Sequence, residues 1–143
     1  MDKMSKKKRS KVMRSIKSSD TSIELKVRGV LPAGFVPQYK FACNADFAYV
    51  REKVAVFVDG NFWHGKDFDK KKHKYNKHWQ DHIQGNIDRD RRNRKMLERA
   101  GWVVLSYWED EVNDDLGRVA DDIADVVRFR RDNPPSDYQD SFF

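Results

Sequence analysis

The chain lacks the features that would place it in a membrane, among disulfide-bonded secreted proteins or among cysteine-rich zinc proteins. Its 143 residues contain a single cysteine, Cys43, so a disulfide framework is excluded and a Cys-rich zinc site is not expected. No apolar run is long enough to span a bilayer, and the basic N-terminus lacks the apolar segment of an export signal. We therefore expect a cytoplasmic protein that forms one domain with its own core.

Acidic residues are scarce where basic residues concentrate. Residues 1–17 carry many lysines and arginines but only one acidic side chain, Asp2, and the net charge of the chain is +6. Two further basic runs lie at 66–77 and 89–95, whereas the acidic excess falls within 109–125. Aromatic side chains lie within or beside the second run, namely Trp63, Tyr75 and Trp79. This separation of charge, with aromatics interleaved, favours a nucleic-acid partner over a merely solvated surface.

The hydrophobic pattern predicts an α/β layered domain. Predicted helices cover about 11–17, 22–31, 77–100 and 114–130, and predicted strands cover 35–41, 46–51, 53–58 and 102–108. Pro37 favours an edge position for the first strand, and the next two strands form a probable hairpin. Residues 65–77 are lysine-rich and predicted to be irregular. We expect a basic arm at 1–20, a folded domain at 21–131 and a loose tail at 132–143.

One predicted strand ends in unusual residues. The apolar run 54–58 is typical of a strand that is buried on both faces, and it leads directly into Asp59 and Gly60. Phe62, Trp63 and His64 follow within a few residues. A carboxylate and an imidazole beyond the end of a buried strand are well placed to work in a cleft. We interpret this stretch as the edge of an active site.

Several acidic or imidazole side chains stand where a helix or strand would direct them inward. They are Glu24, Asp46, His64 and Asp90, with Asp59 as a fifth candidate. Carboxylates in this number suit Mg²⁺, which takes one or two of them and keeps several waters. A neutral histidine nearby could activate one such water against a phosphodiester.

Each of these residues also has a plain structural interpretation. Glu24 completes a capping box with Thr21, and Asp90 has the spacing to pair with Arg94 on one helix face. His64 could be a loop histidine with no chemical role. Taken singly, the structural interpretations are at least as well supported.

The order of motifs along the chain resembles that of the very short patch repair (Vsr) endonucleases. The similarity runs from about residue 9 to 109 in order and without large gaps. It is carried by residues 9–16, Asp20-Thr21 with Glu24, Asp46-Phe47, the strand into Gly60, Phe62-Trp63-His64, residues 86–92, residues 97–105 and Trp108-Glu109.

The resemblance implies a restriction-endonuclease-like three-layer α/β/α core with a mixed central sheet, and double-stranded DNA as substrate. It implies that Asp46 binds Mg²⁺ directly, together with the main-chain carbonyl of Val58. His64 matches the histidine that activates the attacking water, and Glu24 and Asp90 match acids that hold metal-bound waters.

The resemblance also implies which residues meet DNA. Phe62, Trp63 and Trp79 match aromatics that wedge between base pairs, and Met13 matches a methionine that enters from the other groove. We expect further DNA contacts from basic and amide side chains: Arg14, Lys71, Lys72, Asn86, Arg89, Arg91 and Arg92. The oligomeric state is left open, with a monomer among the possibilities.

Two departures from the family pattern change the prediction. The positions that match the family's Cys/His zinc ligands are Asn61, Lys66, Phe68 and Asp110, so no structural zinc is expected. Asp59 replaces a family histidine, which gives the Glu-Asp-x-His-Asp pattern of homing endonucleases that share this core. The usual restriction-fold lysine is missing too, which leaves His64 as the better candidate for water activation.

Three functional hypotheses follow. A repair-like nicking endonuclease is favoured by Met13, Phe62, Trp63 and Trp79, whereas Asp59 favours a site-specific homing enzyme that makes double-strand breaks. Homing enzymes commonly carry an extra DNA-reading domain, for which 143 residues leave little room. A non-catalytic DNA-binding module would not need the acidic and histidine set, so its joint presence argues against that hypothesis.

Overall fold

The computed structural model describes residues 22–40, 44–61 and 65–135. The helices are α1 (22–28), α2 (Phe68–Lys71), α3 (Lys77–Arg99), α4 (Glu109–Asp114) and α5 (Leu116–Asp132), with a 3₁₀ helix at Lys72–Lys74. The strands are β1 (Val36–Lys40), β2 (Asn44–Tyr49), β3 (Val54–Asp59) and β4 (Val103–Trp108). The predicted basic arm, the helix at 11–17 and Cys43 lie outside the described residues, as do Phe62-Trp63-His64 and the tail from residue 136.

The strands form a mixed four-stranded sheet in the order β1-β2-β3-β4. β2 is antiparallel to both β1 and β3, whereas β3 and β4 are parallel and are joined through α3. Pro37 lies in β1 at the sheet edge, as predicted, because proline cannot donate a ladder hydrogen bond. The predicted hairpin between the second and third strands is also confirmed. Its loop relies on Lys53 at a positive φ of 55° in the place of the usual glycine.

β3 is buried along its whole length, because helices cover both faces of the sheet. Val54, Val56 and Val58 belong to one apolar cluster with residues of α1 and α5. Ala55 and Phe57 belong to a second cluster, which includes Leu97 at the end of α3. The three-layer α/β/α architecture is therefore confirmed, and β3 occupies its centre.

The helices differ from the sequence predictions at four places. The stretch 65–77 was predicted to be irregular, but it contains α2 and the 3₁₀ helix, with buried Phe68 holding α2 against the domain. The final helix starts later than predicted because Asp115 caps it, accepting a hydrogen bond from the Arg118 amide at 3.1 Å. The short α4 fills the interval after β4. α1 ends at residue 28, where a turn replaces the predicted last residues.

Among the residues that the structure describes, no helix is long and apolar enough to cross a bilayer.

Candidate active site

A cavity of about 420 Å³ opens at the C-terminal end of β3. It lies between the ends of β2 and β3, the side of α1 and the middle of α3. Its lining includes Glu24, Asp46, Asp59 and Asp90, which are four of the five predicted catalytic residues. Gln38, Asn44, Phe57, Val58, Arg89, Asn93 and Arg94 complete the wall. The fifth predicted residue, His64, lies outside the described residues.

Asp46 is bound to the main chain of the neighbouring strand. Its Oδ2 atom accepts a hydrogen bond of 2.7 Å from the amide of Val58, so the two predicted metal-binding positions are adjacent. Burial raises the pKa of Asp46 to about 7; the Val58 hydrogen bond opposes this shift, and the charges of Glu24 and Asp59 add to it. Negative charge is therefore crowded at this point of the cavity.

Glu24 is held by a residue that the sequence analysis did not single out. Gln38 donates a hydrogen bond of 2.9 Å to the Glu24 carboxylate and itself accepts one of 3.3 Å from Asn44. The β1–β2 register places Gln38 opposite Asp46, and its φ of 50° lies in the left-handed region that non-glycine residues rarely adopt. The only sequence signal for Gln38 is its position two residues before the end of an edge strand.

Asp59 forms a two-pronged ion pair with Arg94. The two guanidinium nitrogens Nη1 and Nη2 each lie 2.8 Å from a carboxylate oxygen of Asp59, and Nη1 also donates to the Ser106 hydroxyl at 3.0 Å. The Asp59 side chain is only 6% exposed and that of Arg94 is 18% exposed. From the sequence, the structural alternative was a pair between Asp90 and Arg94 along the helix. Nη1 and Nη2 of Arg94 instead bond to Asp59 and Ser106.

Asp90 and Arg94 line the cavity because they lie on the same face of α3 as its buried apolar residues. Ile83, Ile87, Asp90, Arg94 and Leu97 follow one another at spacings of three or four residues, the repeat of one helix face. Two charged residues within an apolar stripe are the signal that could have identified Arg94 from the sequence. Met96, which the sequence assigned to the apolar stripe, is instead 42% exposed.

The chain on either side of the undescribed residues 62–64 is anchored to α4. The amide of Asn61 donates to Glu109 at 2.7 Å, and the Asn61 side chain donates to Asp110 at 2.9 Å. Lys66 forms an ion pair with the other oxygen of Asp110, and its amide donates to the Asn61 carbonyl at 2.9 Å. Asn61, Lys66 and Asp110 are three of the four positions that the resemblance matches to zinc ligands. In this chain, a hydrogen bond and an ion pair connect these three side chains directly.

The remaining predicted DNA-binding residues are divided between exposed and partly buried positions. Lys71 and Lys72 are exposed at the junction of α2 and the 3₁₀ helix, and Arg91 and Arg92 are exposed on α3. Trp79 is half-buried in the first turn of α3, with the His78 and His82 rings against it, and Asn86 accepts a hydrogen bond from Arg89. Met13, Arg14, Phe62 and Trp63 lie outside the described residues.

The donor set at the cavity fits a hydrated divalent cation. No three His, Cys, Asp or Glu side chains within residues 22–40, 44–61 and 65–135 are grouped closely enough to hold a metal ion. Mg²⁺ commonly takes one or two carboxylates and retains several waters, so Asp46 and a main-chain carbonyl would suffice. A cation would also offset the repulsion among the Asp46, Glu24 and Asp59 carboxylates.

An acidic cavity at the end of a buried strand, beside an arginine-rich helix in an α/β/α fold, is suited to the chemistry of a nuclease. In comparison with known families, residues 1–70 match the family described as DNA mismatch endonuclease Vsr. The type II nicking enzyme V.NmeDIP of Neisseria meningitidis serogroup C is 34% identical over 90% of this chain and 91% of its own.

Two further relatives point the same way. The type II nicking enzyme V.HpaIIP of Haemophilus parainfluenzae is 36% identical over 78% of this chain and 85% of its own. The DNA mismatch endonuclease Vsr of Escherichia coli (strain K12) is 33% identical over 71% of this chain and 69% of its own. The chain belongs to the Vsr endonuclease family and is a DNA endonuclease.

Proposed function

We propose that this protein is a Mg²⁺-dependent endonuclease that nicks duplex DNA by hydrolysing one phosphodiester bond, directed by a mismatch or by a specific site. The observation that carries the proposal is the convergence of Glu24, Asp46, Asp59 and Asp90 on one cavity at the end of β3. These residues come from four different elements, so their meeting is a property of the fold and not of one local motif. A non-catalytic binding module would have no use for this concentration of negative charge facing a polyanion.

Asp46 and the main-chain carbonyl of Val58 would hold the cation. When bound, Mg²⁺ would supply Lewis-acid stabilisation of the charge that develops on the phosphate. Glu24, positioned by Gln38, and Asp90, on the buried face of α3, would orient waters around that site. His64 would accept the proton of the attacking water as its oxygen bonds to phosphorus. The bond from phosphorus to the 3′-oxygen would break, the 3′-oxygen would take a proton from solvent, and the product would carry a 5′-phosphate.

Basic side chains of α3 and of the segment before it would align the duplex over the cavity. Arg89 lines the cavity itself, and Arg91, Arg92, Lys71 and Lys72 are exposed nearby in the chain. Such contacts neutralise phosphates and set the register of the DNA without reading its sequence.

The named relatives favour nicking over double-strand cleavage. Two of them are described as nicking enzymes and one as a mismatch endonuclease, and the chain covers most of their length. The homing-type hypothesis rested on Asp59 in place of a histidine. Because Asp59 forms an ion pair with Arg94, its presence also has a structural explanation and is weaker support for that hypothesis. We therefore propose the repair-like activity and keep site-specific double-strand cleavage as the alternative outcome of the test.

The test is incubation of the full chain with matched duplex, T:G-mismatched duplex and supercoiled plasmid, each in Mg²⁺ and in EDTA. A Mg²⁺-dependent nick in the mismatched duplex, with an open-circular plasmid product at most, supports the proposal. Linear plasmid as the first product supports the homing-type alternative. Binding without cleavage in Mg²⁺ on all substrates contradicts the Mg²⁺-dependent mechanism.

A further inference from the structure

Arg94 is the most enclosed cation at the cavity. Its guanidinium lies 4.3 Å from the centre of the Phe57 ring, in addition to its fork on Asp59 and its hydrogen bond to Ser106. Ser106 and Asp59 lie on the adjacent parallel strands β4 and β3, so one side chain of α3 ties the ends of both strands together.

The charge of Arg94 is directed at the acidic side of the cavity. Burial alone would lower its pKa, but the hydrogen bond to Asp59 and the charges of Asp59, Asp90 and Asp46 outweigh burial and raise it. Each oxygen of Asp59 accepts one hydrogen bond from the fork. A cation bound by Asp59 would therefore have to share that oxygen with the positively charged guanidinium, which disfavours Asp59 as a metal ligand.

We propose that Arg94 is a positioning residue of the active site, which keeps Asp59 out of metal coordination and neutralises its charge beside Asp46. The inference rests on the proposed Mg²⁺-dependent function, and it assigns to the Asp59–Arg94 pair a role that neither residue has alone. The cavity thus keeps Glu24, Asp46 and Asp90 as its effective carboxylates, with Asp59 and Arg94 as a neutral unit.

This role predicts opposite effects from the two single substitutions. Arg94→Met leaves Asp59 as an additional negative charge at the cavity, so Mg²⁺ should bind more tightly but in a less productive position. Asp59→Asn leaves the Arg94 charge uncompensated, so Mg²⁺ should bind more weakly. The double substitution Asp59→Asn/Arg94→Met removes both charges, and its Mg²⁺ affinity should return close to that of the wild type, since removing both partners of a buried pair leaves no unpaired charge.

Mg²⁺ affinity is measured first without DNA, by fitting the melting temperature against Mg²⁺ concentration, because the stabilisation grows as the logarithm of 1 + [Mg²⁺]/Kd. We expect shifts of about tenfold in opposite directions for the two single variants, the size that modest electrostatic coupling gives. Single-turnover cleavage of a mismatched duplex at saturating Mg²⁺ should fall at least about tenfold in Arg94→Met and recover in the double variant. Arg94→Lys should cleave faster than Arg94→Met but more slowly than the wild type, because an ammonium cannot form the two-pronged pair with Asp59.

Arg99→Met is the matched control, because Arg99 is an exposed arginine in the last turn of the same helix. The control should leave both measurements unchanged.

Three results would overturn the proposal. If Asp59→Asn and the double variant are equally weak in Mg²⁺ affinity, Asp59 is itself a ligand. If Mg²⁺ affinity stays constant while melting temperatures in EDTA fall, the pair only supports the fold. If the double variant cleaves as poorly as Arg94→Met with normal Mg²⁺ affinity, Arg94 contacts the substrate. The affinity measurement needs no DNA, so it decides the role of the pair even if the wild type fails to cleave.

Discussion

At the scale of single residues, Asp46 combines burial, a main-chain hydrogen bond and two carboxylate neighbours. We expect Asp46→Ala to reduce single-turnover cleavage by about a thousandfold or more, because it removes the proposed metal ligand and with it the charge stabilisation that the cation supplies. Duplex affinity in EDTA should stay the same or improve, since a negative charge facing the phosphates is lost. Asp121→Ala, on the exposed side of α5, is the control. Substantial Mg²⁺-dependent cleavage by Asp46→Ala would contradict the assignment.

Gln38 shows how a site residue can be costly to the fold. Its left-handed backbone costs about 1–3 kcal/mol, which glycine would avoid at an entropic cost of about 0.5–1 kcal/mol. We expect Gln38→Gly to keep or raise the melting temperature while lowering cleavage about tenfold, because Glu24 loses its hydrogen bond. Gln38→Asn tolerates the same backbone with a shorter amide and should lose activity similarly. A parallel fall of stability and activity would show that Gln38 serves only the fold.

At the scale of secondary-structure elements, the strands were predictable and the helix boundaries less so. The apolar composition of 54–58 was enough to predict a buried strand. The proline in β1 was enough to predict an edge strand. α4 escaped prediction because six residues, Glu109–Asp114, are too few to show a helical repeat. The pairing of Asp59 with Arg94 was also not predicted, because 35 positions separate the two residues. Local spacing along the helix indicated Asp90 as the partner of Arg94 instead.

Gly65 couples the loop after β3 to α3. Its φ is +71°, and a Cβ atom there would lie 2.5 Å from Ile87 Cδ1 and 2.9 Å from Ile83 Cγ2. We expect Gly65→Ala to cost about 1–3 kcal/mol in the free energy of unfolding, from backbone strain and overpacking. Chemical denaturation measures the cost. Gly85→Ala is the control, because a Cβ there meets nothing within 4 Å and should slightly stabilise α3. Equal stability of both variants would refute the close packing.

Asn61, Lys66 and Asp110 anchor the loop at three positions that the resemblance matches to zinc ligands. Asp110→Ala removes both the Asn61 hydrogen bond and the Lys66 ion pair. Because the Asp110 side chain is half exposed, we expect little change in melting temperature. Cleavage should fall by up to about a hundredfold, the loss that a misplaced catalytic group can produce. Asp114→Ala, exposed at the end of the same helix, is the control. Unchanged cleavage by Asp110→Ala would show that the anchor is dispensable. The expected absence of structural zinc stays a prediction, which metal analysis of the purified protein can check.

At the scale of the whole molecule, the charge separation seen in the sequence becomes a prediction about salt. If the basic runs neutralise about six phosphates, the logarithm of duplex affinity should fall with the logarithm of salt concentration with a slope of roughly −5, at about −0.9 per phosphate. Lys71→Ala/Lys72→Ala should reduce that slope by about two. The matched control is Arg118→Ala/Arg128→Ala on α5, which packs on the sheet face opposite α3. A nearly flat salt dependence would mean that the runs are only solvated.

The last prediction concerns how the molecule would select its substrate. Phe62 and Trp63 fall between Asn61 and Gly65, whose anchoring fixes where the chain enters and leaves this stretch. Insertion of aromatic side chains between base pairs costs about a few kcal/mol of unstacking per step. A mismatched step is already weakened, so the same insertion costs less there and confers preference without reading every base.

We therefore expect Phe62→Ala/Trp63→Ala to reduce cleavage of a mismatched duplex more than cleavage of a matched one, at unchanged Mg²⁺ affinity. Single-turnover rates on the two duplexes and the melting temperature of the variant are measured together. Equal loss on both duplexes with a lowered melting temperature would show that the rings stabilise the fold instead. Equal loss at an unchanged melting temperature would indicate that the rings bend DNA in general, whatever the base pairing. That result would support the homing-type alternative over mismatch repair.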